Sequence, residues 1–205
     1  MSESVWPMLK AERQSLGEYL KTLSPTDWQK PSDCAGWTVH DTVCHLVAGA
    51  KSIPPIFMGR LIAAGFNFDK MIAKDLKREA SKSGAELIAE WGPLVSRKTF
   101  PGRAMLGETI VHREDIRRGV GSPASSYDTA HLIFLADSYK NAGPPLKVKT
   151  RIAGLKLKAT DADWSTGEGP EMNGPLVSLI LAMTGRQSAI NECSGPGRDA
   201  LLARL

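Results

Sequence analysis

Cysteine is scarce in this chain. It holds only Cys34, Cys44 and Cys193, an odd number without a repeating spacing, which excludes a disulfide framework. Long apolar runs are missing too. The longest, around Leu176 to Met183, is far too short to span a bilayer. The opening MSESVWPMLKAER carries acids where a secretory signal needs a basic start and an apolar core. We therefore expect a cytoplasmic protein with no membrane partner. There is no G-x-x-x-x-G-K-[ST], no G-x-G-x-x-G after a strand and no serine-centred elbow. Aromatic residues make up 6%, and they are not interleaved with basic ones. The net charge of +4 is scattered: its densest spots, Lys74 to Arg78 and Arg113 to Arg118, mix in acids. These features argue against a nucleic-acid partner. Histidine is limited to His40, His45, His112 and His131.

What is present is enough apolar residue for a core. The 205 residues are 42% apolar and 23% charged, which suits one large domain or one and a half. Residues 3–23 carry Val5, Met8, Leu9, Leu16, Leu20 and Leu23 at helical spacing. A connector broken by Pro25, Pro31 and Gly36 follows. Thr38, with Asp41 three residues on, caps a second helix that should end or kink at Pro54-Pro55. Residues 56–82 read as helix interrupted at Gly59 and Gly65. AELIAEWGPLVSRK supplies another helix, residues 103–119 the next, and DTAHLIFLADSYKNAG a further one ending near Gly143. Beyond that the pattern changes. LKVKTRIAG and LKLKATDADW alternate with period two, as half-buried strands do. GEGPEMNGP reads as loop, LVSLILAMTG as a short apolar helix, and RDALLARL as a helical tail. The expectation is a mainly α chain: an antiparallel helical bundle over residues 1–143 and a small α+β domain over 144–205.

The stretch GETIVHREDIRRG, Gly107 to Gly119, is unusual. At about 100° per residue, Glu108, His112 and Asp115 share one stripe with Met105, Val111 and Ile116, while Arg103, Arg113, Glu114 and Arg117 take the other side. Three polar groups are aimed at the core, where each would cost several kcal/mol unpaired. Glu108-x-x-x-His112 can hold one metal ion from one side of a helix. A buried Glu–His ion pair is the plainer reading. A third metal ligand must come from elsewhere, and periodicity does not choose it. His40 and Cys44 form a rival i,i+4 pair, and His45 lies off the main apolar stripe of its helix. Cys34 and Cys193 lie in connectors and look incidental. Trp37 is expected to pack under the start of the second helix.

GWTVHDTVCHLVAG (Gly36–Gly49) resembles the "GWTVRDLVAHL" stretch of mycothiol-dependent maleylpyruvate isomerases, within the DinB-like metalloenzyme superfamily. GETIVHREDIRRGVG resembles that family's "E-x-x-x-H-x-x-D-I-R-R-A-x-G" block. ATDADWSTGEGPEMNGPLVSLILAMTGR is similar to its C-terminal domain. The resemblance implies a DinB-like antiparallel four-helix bundle followed by a small α+β domain. It implies a divalent metal, usually zinc, on His45, Glu108 and His112, with Asp115 supporting the site without ligating. It implies mycothiol as thiol cosubstrate, held as a thiolate and delivered to an electrophilic small molecule for isomerisation or S-transfer. Arg186, in MTGR, matches a Gly-Arg step and is the expected catalytic residue for an anionic group; its plainer reading is a helix C-terminal residue favoured by the dipole. The alternative function is a non-catalytic metal- or ligand-binding module, whose C-terminal helix and sheet form a ligand pocket or a homodimer interface.

Overall fold

A computed structural model describes residues 4–205. The expected helix start at position 3 lies outside them. The chain divides into two compact units, Met1–Ser125 and Ser126–Leu205.

The first unit holds α1 (Val5–Leu20), α2 (Val39–Ala50), α3 (Pro54–Ala63), α4 (Phe68–Glu79), α5 (Gly84–Leu94) and α6 (Gly102–Val120). Each start has a local cause. Thr38 and Asp41 form the expected reciprocal capping box on α2, and Ser83 with Glu86 does the same for α5. Pro54 and Pro55 open α3, where a missing N–H costs nothing. Gly121, with φ +80°, closes α6.

Four of these helices form a ring, in the order α1, α6, α2, α5. Side-chain contacts fix their directions. Trp6 meets Gly102 and Glu12 meets Arg113, so α1 and α6 run parallel. Gly49 meets Met105 and His45 meets Glu108, so α2 and α6 run antiparallel. Gly17 packs on Trp91 while Arg13 bonds to Leu94, so α1 and α5 are antiparallel. The four-helix bundle is thus up, down, down, up, and α3 with α4 supplies the crossover that a parallel α2–α5 pair requires. Its core contains Leu16, Leu20, Val43, Val47, Leu87, Trp91 and Ile116.

The side of α6 expected to face water does so only in part: Arg103 is exposed, but Arg113 and Glu114 are buried. Glu114 accepts from Arg117 and lies 3.7 Å from Arg118, and Arg113 lies 3.8 Å from Glu12. These charges pair with each other within the fold rather than standing in solvent.

The second unit comprises α7 (Thr129–Tyr139), α8 (Val148–Arg151), β1 (Lys156–Ala159), β2 (Ser165–Thr166), β3 (Glu171–Gly174), α9 (Leu176–Met183), α10 (Gln187–Asn191) and α11 (Pro196–Leu202). The helix Thr129–Tyr139, read from sequence as part of the bundle, packs on α9 within the second unit. The sheet order is β2-β1-β3. Leu157 pairs with Thr166 antiparallel and with Met172 parallel. Two local expectations fail here. LKVKTRIAG is a helical turn, because Val148 and Ile152, four residues apart, are both buried. The stretch read as loop contains β3, whose bonds come from β1 and not from local pattern. Among the described residues, no helix is long and apolar enough to cross a membrane.

Candidate metal centre

The site is built where α2 and α6 run past each other. The stripe on α6 places Glu108 and His112 one turn apart, and α2 brings His45 opposite them. Glu108 Oε2 lies 2.7 Å from His45 Nε2 and 3.1 Å from His112 Nε2. One carboxylate oxygen therefore sits between two imidazoles. Asp115, with no exposed surface, accepts from His112 Nδ1 at 2.8 Å. This bond fixes the ring and directs Nε2 at Glu108. His112 is almost fully buried, and His45 and Glu108 keep part of their surface open.

The charges follow from this packing. Burial opposes ionisation of Glu108, but hydrogen bonds from His112 and His45 outweigh it and hold the carboxyl well below the usual range. Burial likewise opposes charge on His112, yet Asp115 and Glu108 hold the imidazole up to about 9. With both nitrogens facing carboxylates, His112 donates twice and carries a proton on Nε2.

Spacing did not reveal the roof of the site. Trp37 stacks on His112, with ring centres 5.7 Å apart and planes at 27°, and lies 5.1 Å from the His45 ring. It does not simply pad the start of α2. Its connector is pinned to α6, since Asp33 N–H donates to the Asp115 carbonyl at 2.9 Å. A Cβ at Gly119 would overlap the Pro31 carbonyl, so only glycine lets the connector lie this close. The same connector corrects the reading of Cys34 as incidental: its thiol, a His112 nitrogen and an Asp115 oxygen lie within 4.8 Å of one another. Asp115 is already committed to His112 Nδ1, so this cluster supports the ring from behind.

The donors of His45, Glu108 and His112 also lie within 4.8 Å of one another. The rival pair is used differently. His40 Nε2 bonds to the Lys82 carbonyl at 2.7 Å, and Cys44 Sγ lies 3.6 Å from His40 Nδ1. Burial pushes the Cys44 thiol up to about 12, and among the described residues no third donor joins that pair. Arg186 belongs to the second unit. Its N–H donates to the Leu181 carbonyl, and it precedes α10.

Residues 9–99 match the family described as mycothiol maleylpyruvate isomerase N-terminal domain. The match takes in His45 and ends before α6. Among solved structures, a mycothiol-dependent maleylpyruvate isomerase is similar over 94% of this chain and 91% of its own, with TM-score 0.64 and 13% identity. A mutant described under the same name matches with the same coverage and TM-score at 12% identity. At such identity the likeness is one of fold. No curated protein matches the chain. The family likeness thus covers most of the helical unit as far as the loop before α6, and the two solved structures share the fold through nearly the whole length.

Proposed function

We propose that His45, Glu108 and His112 hold a divalent metal ion, zinc first, and that the protein uses a low-molecular-weight thiol of the mycothiol kind to isomerise, or transfer sulfur to, an electrophilic small molecule. The observation that carries this reading is the convergence of two imidazole Nε2 atoms on one carboxylate oxygen. Nitrogen and oxygen donors of this kind suit zinc. A metal would take the Nε2 lone pairs that protons fill in its absence. Three protein donors is the count of a catalytic site rather than of a closed structural one. A bound divalent ion would lower the pKa of an incoming thiol and keep it as a thiolate.

The chain's own groups prepare the rest. Asp115 holds the His112 Nδ1 proton, leaving Nε2 for the ion. The Trp37 ring flanks both histidines and keeps water from that side. Arg186 is assigned to binding an anionic group of the substrate, as the resemblance implies. The reading is tested by elemental analysis of native protein, which should give about one divalent ion per chain. His112→Ala should lose the metal with the fold intact. Adding a thiol to cobalt-loaded protein should shift its visible absorption. Full metal occupancy in a His45→Ala/His112→Ala double variant would place the ion elsewhere. A metal site whose absorption no thiol perturbs would leave the non-catalytic module as the reading.

A further inference from the structure

Inside the bundle, beside the candidate metal centre, lies a cavity of about 10 Å³ lined by Arg13, His45, Gly49, Met105, Glu108 and Thr109. That is the room of one water molecule. Arg13 is 1% exposed. Its Nη1 donates to the carbonyls of Leu94 at 3.0 Å and Arg97 at 2.9 Å, and its Nη2 to Thr99 Oγ1 at 3.0 Å. The Trp91 ring lies 5.9 Å away. Its Nε–H, also buried, has no acceptor among the described residues. Burial lowers the guanidinium to about 10, so it remains charged at neutral pH and that N–H remains a strong donor.

The site's own groups show a matching gap. A metal-ligating imidazole almost always gives its second ring N–H to a carboxylate, a carbonyl or water. His112 does so with Asp115. Among the described residues, His45 bonds only through Nε2 and Glu108 only through Oε2. Thr109 gives its hydroxyl proton to the Met105 carbonyl and keeps its lone pairs for a donor. Arg13, which carries an unpartnered cationic N–H, Thr109, which offers a hydroxyl acceptor, and the His45–Glu108 pair thus line one water-sized space.

We propose that this cavity is a water site, in which one ordered water accepts the Arg13 Nε–H and joins it to the unpartnered edge of the His45–Glu108 pair. Arg13 is then a positioning residue. Its charge, anchored by three bonds to the α5 end and the following loop, orients two of the three proposed ligands through the water without touching the ion. The proposal rests on the metal reading of His45 and Glu108.

Gly49→Ala tests it without disturbing the other bonds of Arg13. A Cβ there would meet the Met105 sulfur at 3.2 Å, on the cavity wall, and a flexible methionine end can give by that much. Alanine also favours the helix over glycine. Zinc affinity of the full chain, measured by chelator competition, should fall about 10-fold in this variant, the low end of the usual loss for an outer partner of a ligand. Its melting temperature should hold or rise. Thr109→Val, which removes a water partner at nearly constant shape, should weaken zinc in the same direction. In the parent protein, nuclear magnetic resonance should show cross-relaxation between the Arg13 Nε–H and a long-lived water. Unchanged zinc affinity in both variants would overturn the proposal, as would absence of that water signal. If the parent binds no zinc, the metal reading fails by itself, and the water signal alone then decides the site.

Discussion

Replacing Asp115 by asparagine changes one charge at nearly constant volume, and the structure says how much that should matter. The carboxylate has no exposed surface and accepts from His112 Nδ1 at 2.8 Å. It can only accept. An asparagine side chain can turn its NH₂ toward Nδ1 instead, which moves the ring proton to Nε2. Nε2 is the atom 3.1 Å from Glu108, the one proposed to bind the ion. The substitution therefore both weakens the ligand's basicity and favours the tautomer that cannot bind. Loss of such an outer partner reduces metal affinity about 10- to 100-fold, or about 1.4–2.8 kcal/mol. The assay is chelator competition on zinc-loaded protein, with a urea titration of the metal-free form beside it. Weaker zinc binding with a metal-free midpoint close to the parent's is expected. An Asp115→Asn protein that loses stability while its zinc affinity stays put would refute the argument, since Asp115 would then serve only the packing of α6.

Gly119→Ala should cost about 1–3 kcal/mol, as overpacking does, because the new Cβ collides with the Pro31 carbonyl; zinc affinity should fall with it, since the displaced connector carries Trp37, and an unchanged urea midpoint would show the connector to be loosely held. Glu79, buried between Lys51 and Lys82, feels burial that opposes its charge, but the two lysines hold its carboxyl below the usual range. Its stabilisation is thus complete above the ordinary glutamate range and is lost as pH falls through the lowered value. Glu79→Gln should cost about 3 kcal/mol near neutrality, the low end for breaking a buried pair, because Glu90 still pairs with both lysines; in acid the cost should vanish, and a cost independent of pH would contradict the sign. Arg186→Ala should weaken an acidic substrate and leave metal content alone; lowered stability with unaltered kinetics would return Arg186 to a helix-end role.

The helices were legible where a local rule governs them. Thr38 with Asp41 announced α2, and the stripe of Glu108, His112 and Asp115 announced polar groups turned inward. His45 came through family resemblance and not through pattern, because its partner lies 63 residues away and no local spacing encodes that distance. Trp37 and Cys34 reach the site on an irregular connector, whose path depends on Gly119 of another helix. Val148 and Ile152 carried a helical spacing inside a run that also alternated, and burial decided between them. β3 exists because β1 pairs with it, a cause absent from its own residues.

The long separation between α2 and α6 along the chain has a thermodynamic side. The proposed ligand set, split between distant segments, has no counterpart in the unfolded polypeptide, where His45 and Glu108 drift apart. An ion that binds only the assembled bundle acts as a removable staple: at about 100 times its dissociation constant it adds about 2.7 kcal/mol to the folded state. Through that linkage, the metal supply of the surroundings would set how long the bundle stays closed, and a chelator would act on this protein as a mild denaturant.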